Sequence, residues 1–355
     1  MTTAMTVFSH SEFDQHETVS FCHDAASGLR AIIAVHNTNL GKGLGGCRMW
    51  PYASEDEALT DVLRLSRGMT YKAALAGLPQ GGGKSVIIGD SRRDKTPELM
   101  RAMGRAVERL NGAYVVAEDS GTNVADIRLM AEQTRHVGGL ADEKSVAEGR
   151  TGDPSPATAL GVFIGLRAAV RHQLGRDDLQ GLRVAIQGVG NVGYRLAKHL
   201  HEAGAQLWVT DIYAPAVERC VNELGATAVT MDAIHALDVD VFAPCALGAI
   251  LNDATIPQLR AKVIAGAANN QLAVPATHGA ALSERGILYA PDYCINAGGI
   301  IDIHYEGPAY HAPVVEAHLQ RIGLTLTQIF ERAARASLPT HQIADRMAEE
   351  IFRRG

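Results

Sequence analysis

The apolar positions in the first third of the chain alternate between short continuous runs and helical spacing. Residues 28–35, 85–88 and 113–117 are apolar runs of strand length, which predicts three buried strands. Residues 53–66 and 96–110 carry apolar side chains at helical spacing, which predicts two amphipathic helices. This part of the chain is therefore predicted to mix strands and helices.

A cluster of chain-breaking residues separates this region from a second, more regular alternation. Residues 149–156 (GRTGDPSP) cannot continue a helix and have the composition of an interdomain hinge. Beyond them the pattern predicts strands at residues 183–187, 206–210, 239–242, 263–264 and 287–289, and helices at 158–174, after the glycine turn at 188, and across 313–352. Such alternation indicates a mostly parallel sheet that is covered on both faces.

Composition narrows the class of protein. Of the 355 residues, 46% are hydrophobic and 20% are charged, so the chain can bury a sizeable core. The net charge of -6 gives no electrostatic reason to bind nucleic acid or an anionic membrane. The five cysteines are odd in number and never spaced as C-x-x-C, which argues against disulfides and zinc and favours a reducing cytoplasm. We expect neither a signal peptide nor a membrane span.

A glycine-rich turn joins the strand at residues 183–187 to the helix after it. The turn consists of Gly188, Val189, Gly190, Asn191, Val192 and Gly193. In this fingerprint Gly188 allows a tight turn, Gly190 lets the backbone approach a pyrophosphate, and Gly193 lets helix and strand pack closely. Because a strand precedes the motif and a helix follows it, the sequence predicts a Rossmann-type dinucleotide site with the pyrophosphate at the helix N-terminus.

Asp211 adds a preference between cofactors. It ends the next strand, about 20 residues beyond the glycines, where such sites carry an acidic residue. A carboxylate there accepts hydrogen bonds from the adenosine ribose hydroxyls and repels a 2′-phosphate. NAD is therefore predicted in preference to NADP.

Two lysine-containing segments in the first half carry candidate chemistry. One ends at Lys72, and in the other three consecutive glycines precede Lys84. Because glycine has no side chain, the triplet is interpreted as a place where a substrate approaches the backbone. Two ammonium groups in one cleft disfavour each other's charge, so one lysine can hold a carboxylate while the other serves as a base. Asp119 follows a predicted strand and is placed to exchange protons with them.

Seven short stretches, spread over nearly the whole chain, form a specific pattern. They begin at residues 44 (LGGCRM), 69 (MTYKAA), 81 (GGGK), 117 (AEDSGT), 243 (APCALG), 265 (AGAANNQL) and 290 (APDY). With them the chain, from about residue 20 to residue 353, resembles the superfamily of glutamate, leucine, valine, phenylalanine and tryptophan dehydrogenases. The resemblance is closest to the leucine, phenylalanine and tryptophan branch.

The resemblance implies an α/β protein with an N-terminal catalytic domain, a C-terminal Rossmann-type dinucleotide-binding domain and a cleft between them. We place the catalytic and oligomerisation domain at residues 1–150 and the NAD-binding domain at residues 151–334. The C-terminal helix, about residues 335–355, is expected to pack back on the first domain. A cytoplasmic homo-oligomer, either a dimer or an octamer, is implied, with no nucleic-acid or membrane partner.

The resemblance also implies roles for individual residues of the first half. Lys72 would hold the substrate carboxylate with the help of the backbone at Gly45 and Gly46. Lys84 would be the general base that activates water. Asp119 would exchange protons with the substrate nitrogen.

Further roles are implied for residues of the second half. Asn270 would contact the substrate amino group and Asn269 would lie near the nicotinamide ribose. Thr158 would meet the nicotinamide carboxamide, and Ala246 would join the glycine loop in binding the cofactor. The implied reaction converts an L-amino acid, NAD and water into a 2-oxo acid, ammonia and NADH, through an imine that is hydrolysed by way of a carbinolamine. Closure about the hinge would expel water before hydride transfer.

The implied substrate pocket has four apolar walls, at Leu44, Ala117, Ile300 and Ile303. A glutamate side-chain carboxylate left unpaired among them would cost several kcal/mol, so glutamate is excluded as the preferred substrate. Ile300 and Ile303 are bulkier than the valines expected in leucine enzymes, and a smaller pocket favours leucine, valine or isoleucine. Phenylalanine or tryptophan is the alternative.

One departure from the family pattern and two alternative functions bear on this prediction. The chain departs from leucine enzymes at Lys42 and Gly43, where Pro and Ala are usual, and this loop shapes the pocket mouth. A non-catalytic NAD-responsive protein on the same fold would not need Lys72, Lys84 and Asp119 together. A zinc-dependent alcohol dehydrogenase is disfavoured because no metal-binding cluster emerges, so no metal is predicted.

Overall fold

The computed structural model describes residues 7–140, 152–246, 248–307 and 310–353 and divides into two compact units. The first unit comprises the described residues of Met1–Asp153, Glu306–Tyr310 and Ala348–Gly355. The second comprises those of Pro154–Tyr305 and His311–Met347. No helix in the described ranges is both long and apolar enough to span a membrane.

The first unit is built on a mixed five-stranded sheet. Its strands are β1 (Thr18–Asp24), β2 (Leu29–Asn37), β3 (Gly43–Trp50), β4 (Gly81–Ile88) and β5 (Tyr114–Glu118). They lie in the order β1-β2-β4-β3-β5. Strand β3 runs parallel to β4 and β5, whereas β2 is antiparallel to β1 and β4. Strand β4 therefore lies between β2 and β3, which precede it in the sequence.

In the part of this unit that the structure describes, three α-helices pack on the sheet: α1 (Glu55–Ala76), α2 (Pro97–Glu108) and α3 (Val124–Ala131). The Ser54 hydroxyl caps the first turn of α1, and Gly77 ends the helix in the left-handed conformation with φ 67°. Helix α1 thus continues to Ala76, beyond the predicted end at residue 66, and Tyr71, Ala74 and Leu75 extend its buried face. Lys72 consequently lies on the last turns of a helix.

Side chains of the first sheet alternate between two faces, as the strand period of two requires. Met49 and Val116 belong to the core that packs with α2 and α3. Ala34 and Val86 belong to the core that packs with α1. Because Lys84 lies two residues before Val86, it points to the face that α1 covers.

The second unit contains a six-stranded, entirely parallel sheet. Its strands are β6 (Arg183–Gln187), β7 (Gln206–Thr210), β8 (Thr227–Ala228), β9 (Val241–Pro244), β10 (Val263–Ile264) and β11 (Leu288–Tyr289). They lie in the order β11-β10-β9-β6-β7-β8, which is the Rossmann order. The strand order reverses between β6 and β9, and folds of this type bind their ligands at the carboxyl ends of the strands at such a point.

Beyond the hinge, the described residues form eight further α-helices. They are α4 (Ser155–Leu174), α5 (Asn191–Glu202), α6 (Ala214–Leu224), α7 (Pro275–Glu284), α8 (Asp292–Ile295), α9 (Gly298–His304), α10 (Ala312–Ala336) and α11 (Thr340–Phe352). Helix α4 begins inside the stretch predicted as a hinge, since proline in the first turn of a helix costs no hydrogen bond. Of that stretch, residues 149–151 lie outside the described part of the chain.

Candidate active site

A buried lysine and a carboxylate meet on the α1 face of the first sheet. Lys84 lies within β4 and is 6% exposed, and Asp119 directly follows β5. The Nζ atom of Lys84 is 2.5 Å from Oδ2 of Asp119. A buried ammonium is tolerated when a carboxylate compensates it. The charged group in direct contact with the Lys84 ammonium is therefore the Asp119 carboxylate.

The Asp119 carboxylate is strongly acidic. Burial by itself raises its pKa, but the Lys84 ammonium and the Arg48 guanidinium outweigh burial and lower the pKa to about 2. Nε of Arg48 lies 3.4 Å from the same oxygen that Lys84 contacts. At neutral pH Asp119 is thus ionised, so that it can accept a proton but cannot donate one until it has taken one up.

Hydrogen bonds hold the loop that carries Asp119. The backbone N–H of Asp119 donates to Oγ1 of Thr122 at 3.0 Å, and that hydroxyl donates to a backbone carbonyl of β3 at 2.8 Å. Nζ of Lys95 donates to the Gly121 carbonyl at 2.9 Å. The position of the carboxylate is therefore fixed by contacts to β3 and to the segment before α2.

The three glycines before Lys84 serve packing. A Cβ on Gly82 would lie 2.1 Å from the Thr70 nitrogen of α1, and one on Gly83 would lie 2.6 Å from the Tyr114 ring. Protein atoms already fill the space where these side chains would be. These contacts explain two of the glycines by packing, and an approach of substrate to their backbone stays a prediction. The effect of the triplet is to let α1, which carries Lys72, lie directly on the strand that carries Lys84.

Gly45 and Gly46 lie where neighbouring strands approach closely. A Cβ on Gly45 would lie 1.7 Å from the Gly83 carbonyl oxygen, and one on Gly46 would lie 2.7 Å from Cβ of Asp119. The buried hydroxyl of Tyr114 donates to the Gly45 carbonyl at 2.7 Å and holds this peptide in place. The paired glycines are thus a condition for bringing β3, β4 and Asp119 together.

Two of the predicted pocket walls lie on the same face of this sheet. The register pairs Gly46 with Ala117 and Leu44 with Val115. Leu44 alternates with Gly46 and Arg48, and Arg48 contacts α1 through Asp61. Leu44 and Ala117 therefore share the α1 face with Lys84 and are both buried.

The glycine turn after β6 has the geometry expected of a dinucleotide loop. Gly188 has φ 92°, and a Cβ on it would lie 2.7 Å from the backbone nitrogen of Ala246. A Cβ on Gly193 would lie 2.0 Å from the Gly188 carbonyl oxygen. Around Gly190, by contrast, no described atom lies within 4 Å of that position. The first and third glycines permit close packing and the second leaves open space, as the fingerprint requires.

The groups around this loop fit a dinucleotide. Helix α5 begins at Asn191, and within the described chain no side chain caps its first amides, which are left for an anion. Oδ2 of Asp211 accepts from the backbone N–H of Val189 at 2.7 Å and Oδ1 from that of Tyr213 at 2.9 Å. The carboxylate therefore stands at the rim of the loop with lone pairs left over for a further donor.

The loop after β10 carries Asn269 and Asn270, and hydrogen bonds from buried residues hold this loop in place. Oδ1 of Asn269 accepts from Nδ2 of Asn296 at 2.7 Å, and the backbone N–H of Gln271 donates to Oδ2 of Asp292 at 3.0 Å. Asn270 is exposed and has φ 50°, a conformation that asparagine adopts more readily than most residues. Buried polar groups therefore fix the backbone of the segment that contains Asn269 and Asn270.

Thr158, Ile300 and Ile303 lie where the start of α9 packs against the first turn of α4. A Cβ on Gly299 would lie 2.8 Å from Oγ1 of Thr158, so the two helices touch there. The Thr158 hydroxyl donates to the Pro154 carbonyl at 2.9 Å. Ile300 and Ile303 follow on α9, and Ile300 is the more buried of the two. Thr158 and both isoleucines thus belong to one local arrangement.

The structure assembles the predicted site residues in two sets. The first unit carries Leu44, Gly45, Gly46, Lys72, Lys84, Ala117 and Asp119, and the second carries Thr158, Gly188, Val189, Gly190, Asn191, Val192, Gly193, Asp211, Ala246, Asn269, Asn270, Ile300 and Ile303. Sequence reasoning missed Arg48, although its alternation with Gly46 on one strand indicates its face. In the described ranges no group of three or more His, Cys, Asp or Glu could hold a metal ion.

Two family models match the chain. Residues 15–136 match the model described as Glu/Leu/Phe/Val dehydrogenase, dimerisation domain. Residues 149–213 and 212–312 match the model described as Glutamate/Leucine/Phenylalanine/Valine dehydrogenase. Together with the Rossmann order of the second sheet, these matches confirm the predicted fold class and the predicted family.

Individual proteins are similar over nearly the full length. The leucine dehydrogenase of Geobacillus stearothermophilus is 53% identical, covering 98% of this chain and 93% of that protein. The valine dehydrogenase of Streptomyces virginiae is 46% identical, with 96% and 95% covered. The crystal structure of L-tryptophan dehydrogenase from Nostoc punctiforme matches with a TM-score of 0.80 and 45% identity, covering 96% of each chain. The chain therefore belongs to the Glu/Leu/Phe/Val dehydrogenase family and is an oxidoreductase that acts on amino-acid donors.

Proposed function

We propose that the protein catalyses the reversible NAD-dependent oxidative deamination of a branched-chain L-amino acid to its 2-oxo acid and ammonia. The observation that carries the proposal is the contact between Lys84 and Asp119, which provides a lysine and an ionised carboxylate for proton transfer in one place. The similarity to leucine and valine dehydrogenases supports the substrate class.

Each group of the first unit has a role in this proposal. Asp119, ionised at neutral pH, accepts a proton from the substrate nitrogen. Lys84, once it has given up its own proton, takes a proton from the water that attacks the imino carbon. Lys72, with the backbone at Gly45 and Gly46, binds the substrate carboxylate as a point charge. Binding and proton transfer are thus divided between the two lysines.

The second unit would hold the cofactor. NAD, when bound, supplies the acceptor for the hydride of the substrate α-carbon. The open amides at the start of α5 would bind the pyrophosphate, and Gly190 would leave room for it. Asp211 would accept hydrogen bonds from the ribose hydroxyls. Thr158, Ala246 and Asn269 would position the nicotinamide end, and Asn270 the substrate amino group.

The residues predicted to contact the substrate side chain support a substrate without a charge there. Leu44 and Ala117 of the first unit, and Ile300 and Ile303 of the second, are apolar and offer no partner for a second carboxylate, and an unpaired one would cost several kcal/mol. An aromatic amino acid is the second candidate, because a tryptophan dehydrogenase matches the chain with a TM-score of 0.80. We also propose a homo-oligomer, which the description of the first family model as a dimerisation domain supports.

A reductive-amination panel tests the substrate class. With NADH and ammonium, 4-methyl-2-oxopentanoate or 3-methyl-2-oxobutanoate should give the highest kcat/KM, above phenylpyruvate, indolepyruvate and 2-oxoglutarate. Preference among the apolar substrates is expected to be graded, since one methylene is worth only about 1–3 kcal/mol. The highest kcat/KM with phenylpyruvate or indolepyruvate would transfer the proposal to aromatic substrates. Silence with every 2-oxo acid would favour a non-catalytic NAD-responsive protein.

The choice of cofactor is tested at Asp211. The wild type should prefer NAD to NADP, and Asp211→Asn should raise the KM for NAD about tenfold or more, since a hydrogen bond to a charged group contributes about 1.5–3 kcal/mol. Because the repulsion of a 2′-phosphate is lost as well, the preference over NADP should narrow. Asp177→Asn, which changes an exposed carboxylate of the same unit, is the control. An unchanged ratio of NAD to NADP use would remove Asp211 from this role.

A further inference from the structure

A chain of polar side chains leads from Asp119 to α1. Nε of Arg48 lies 3.4 Å from Oδ2 of Asp119, and Nη1 of the same guanidinium lies 2.9 Å from Oδ2 and 3.2 Å from Oδ1 of Asp61. The Tyr52 hydroxyl donates to Oδ2 of Asp61 at 2.6 Å. One arginine therefore spans two carboxylates, of which one belongs to the candidate active site and the other to α1.

We propose that Arg48 is a positioning residue for the reaction. It keeps Asp119 ionised and aligned with Lys84, while Asp61 and Tyr52 hold Arg48 in place from the opposite side. This inference rests on the proposed function, because it concerns the proton transfer assigned there to Lys84 and Asp119. It adds Arg48 as a second cation beside Asp119, and Asp61 with Tyr52 as the groups that hold Arg48 in place.

The geometry requires an arginine. The Arg48, Asp61 and Asp119 side chains are about one-fifth exposed, so water competes little for these contacts. A guanidinium is planar and presents several donors in a fixed fork, whereas an ammonium is a single point charge. Only the fork reaches Asp61 with one nitrogen while another faces Asp119. Arg48 thus transmits the position of α1 to the catalytic carboxylate.

The charge of Arg48 matters most when Lys84 gives up a proton. The guanidinium stays protonated at every pH that an enzyme meets, so Asp119 keeps one cation beside it when the lysine becomes neutral. The proton that Lys84 gives up is then not simply transferred to Asp119, because Arg48 favours the ionised carboxylate. Arg48 therefore lowers the proton affinity of the Lys84–Asp119 pair as a whole.

The other titratable groups near Asp119 do not replace this cation. Burial raises the pKa of the Cys47 thiol to about 12 and that of the Tyr114 phenol well above its usual value, so both are neutral. Glu118 precedes Asp119 in the chain, and burial together with the carboxylates of Asp153 and Asp119 raises its pKa. Lys95, in the neighbouring loop, is paired with the Asp126 carboxylate. Besides Lys84, the cation in contact with Asp119 in the described structure is Arg48.

Two substitutions with opposite electrostatic signs test the proposal. In Arg48→Gln the loss of the cation should move the acidic limb of the kcat/KM profile to higher pH, by about one unit, since an opposite charge at this range shifts a carboxyl pKa by about 1–3 units. In Asp61→Asn the loss of the anion behind Arg48 should lower kcat without moving the limb to higher pH. A merely structural role would lower activity at all pH values and move neither limb.

Milder variants and a binding measurement complete the test. Arg48→Lys keeps the charge but loses the fork, so kcat should fall while the limb moves less than in Arg48→Gln. Tyr52→Phe should have the smallest effect of the series. NADH affinity should stay at the wild-type value throughout, and Arg171→Gln, at an exposed arginine of α4, should match the wild type in every measurement. An unchanged limb in Arg48→Gln, or shifts of equal sign in Arg48→Gln and Asp61→Asn, would overturn the inference.

A measurement without turnover separates this inference from the proposed function. The pKa of Asp119 is lowered in the fold, so this group stabilises the wild type above its ordinary pKa of 3.8, and the contribution is lost as the pH falls through about 2. In Arg48→Gln the stabilisation above pH 3.8 should be smaller, and its loss should be complete at a higher pH, in thermal melts. A wild type that is silent with all 2-oxo acids would remove the proposed function, whereas melts of equal pH dependence would remove the Arg48–Asp119 interaction.

Discussion

Replacement of Lys84 by methionine is expected to lower kcat by about 10²–10⁴-fold, the range that a positioned general base contributes. Methionine keeps most of the length of the side chain and removes its charge and its proton. NADH binding should be unchanged, because the groups that would hold the cofactor lie in the second unit. The measurements are kcat across the pH range and NADH affinity from fluorescence titration.

The same substitution is expected to destabilise the first unit. Asp119 would keep its charge and lose the ammonium 2.5 Å away, and breaking a buried ion pair by removing one partner costs about 3–5 kcal/mol. The double variant Lys84→Met/Asp119→Asn removes both charges and should melt at a higher temperature than the single variant. The double variant is expected to stay inactive, so the comparison separates loss of chemistry from loss of folding.

A matched lysine provides the control for this experiment. Lys262 is exposed in the second unit, and Lys262→Met should retain the wild-type kcat and melting temperature. A Lys84→Met protein that folds, binds NADH and keeps a rate within about threefold of the wild type would show that another group is the base. Its pH profile would then identify that group by the limb that persists.

The second unit could be predicted well from the sequence because its signals are local. Strand β6, the glycine turn and helix α5 follow one another within twenty residues. The motif describes the steric requirement at each of its glycines. Asp211 lies at the end of the next strand in sequence and in space. The strand order of a parallel sheet then follows from short, right-handed connections.

The first unit was harder because its signals are not local. Strand β3 contains three glycines among eight residues, and β4 begins with three, so neither shows the alternation by which strands are recognised. Helix α1 continues through Thr70 and Lys72, beyond its predicted end, and packs closely there on Gly82. These elements are determined by contacts between distant segments.

The supporting residues of the site escaped prediction for the same reason. Arg48 contacts Asp61 and Asp119, and Asn296 contacts Asn269, across long sequence separations that no motif encodes. The residues expected to touch the substrate could be named from the resemblance. The groups that orient them are identified only by contacts in the folded structure, between strands and helices that are distant in sequence.

Close packing of α1 on β4 leads to the second large expected effect, in Gly82→Ala. The added Cβ would lie 2.1 Å from the Thr70 nitrogen and 2.5 Å from the Ser66 carbonyl oxygen, which are helix backbone atoms and cannot rotate away. Helix α1 must therefore move off the strand. We expect a loss of about 3 kcal/mol or more in the free energy of unfolding, since overpacking against rigid neighbours lies at the upper end of its usual range.

Gly68→Ala, in the middle of the same helix, is the matched control. Apart from its chain neighbours and the backbone of its own helix, no described atom lies within 4 Å of its would-be Cβ. The substitution therefore meets open space and should stabilise α1 by up to about 1 kcal/mol through helix propensity. Thermal melts should thus move in opposite directions for the two variants. Because α1 carries Lys72 and the Asp61 partner of Arg48, kcat should fall in Gly82→Ala alone. A Gly82→Ala protein with the melting temperature and kcat of the wild type would mean that the glycine triplet does not hold the helix against Lys84.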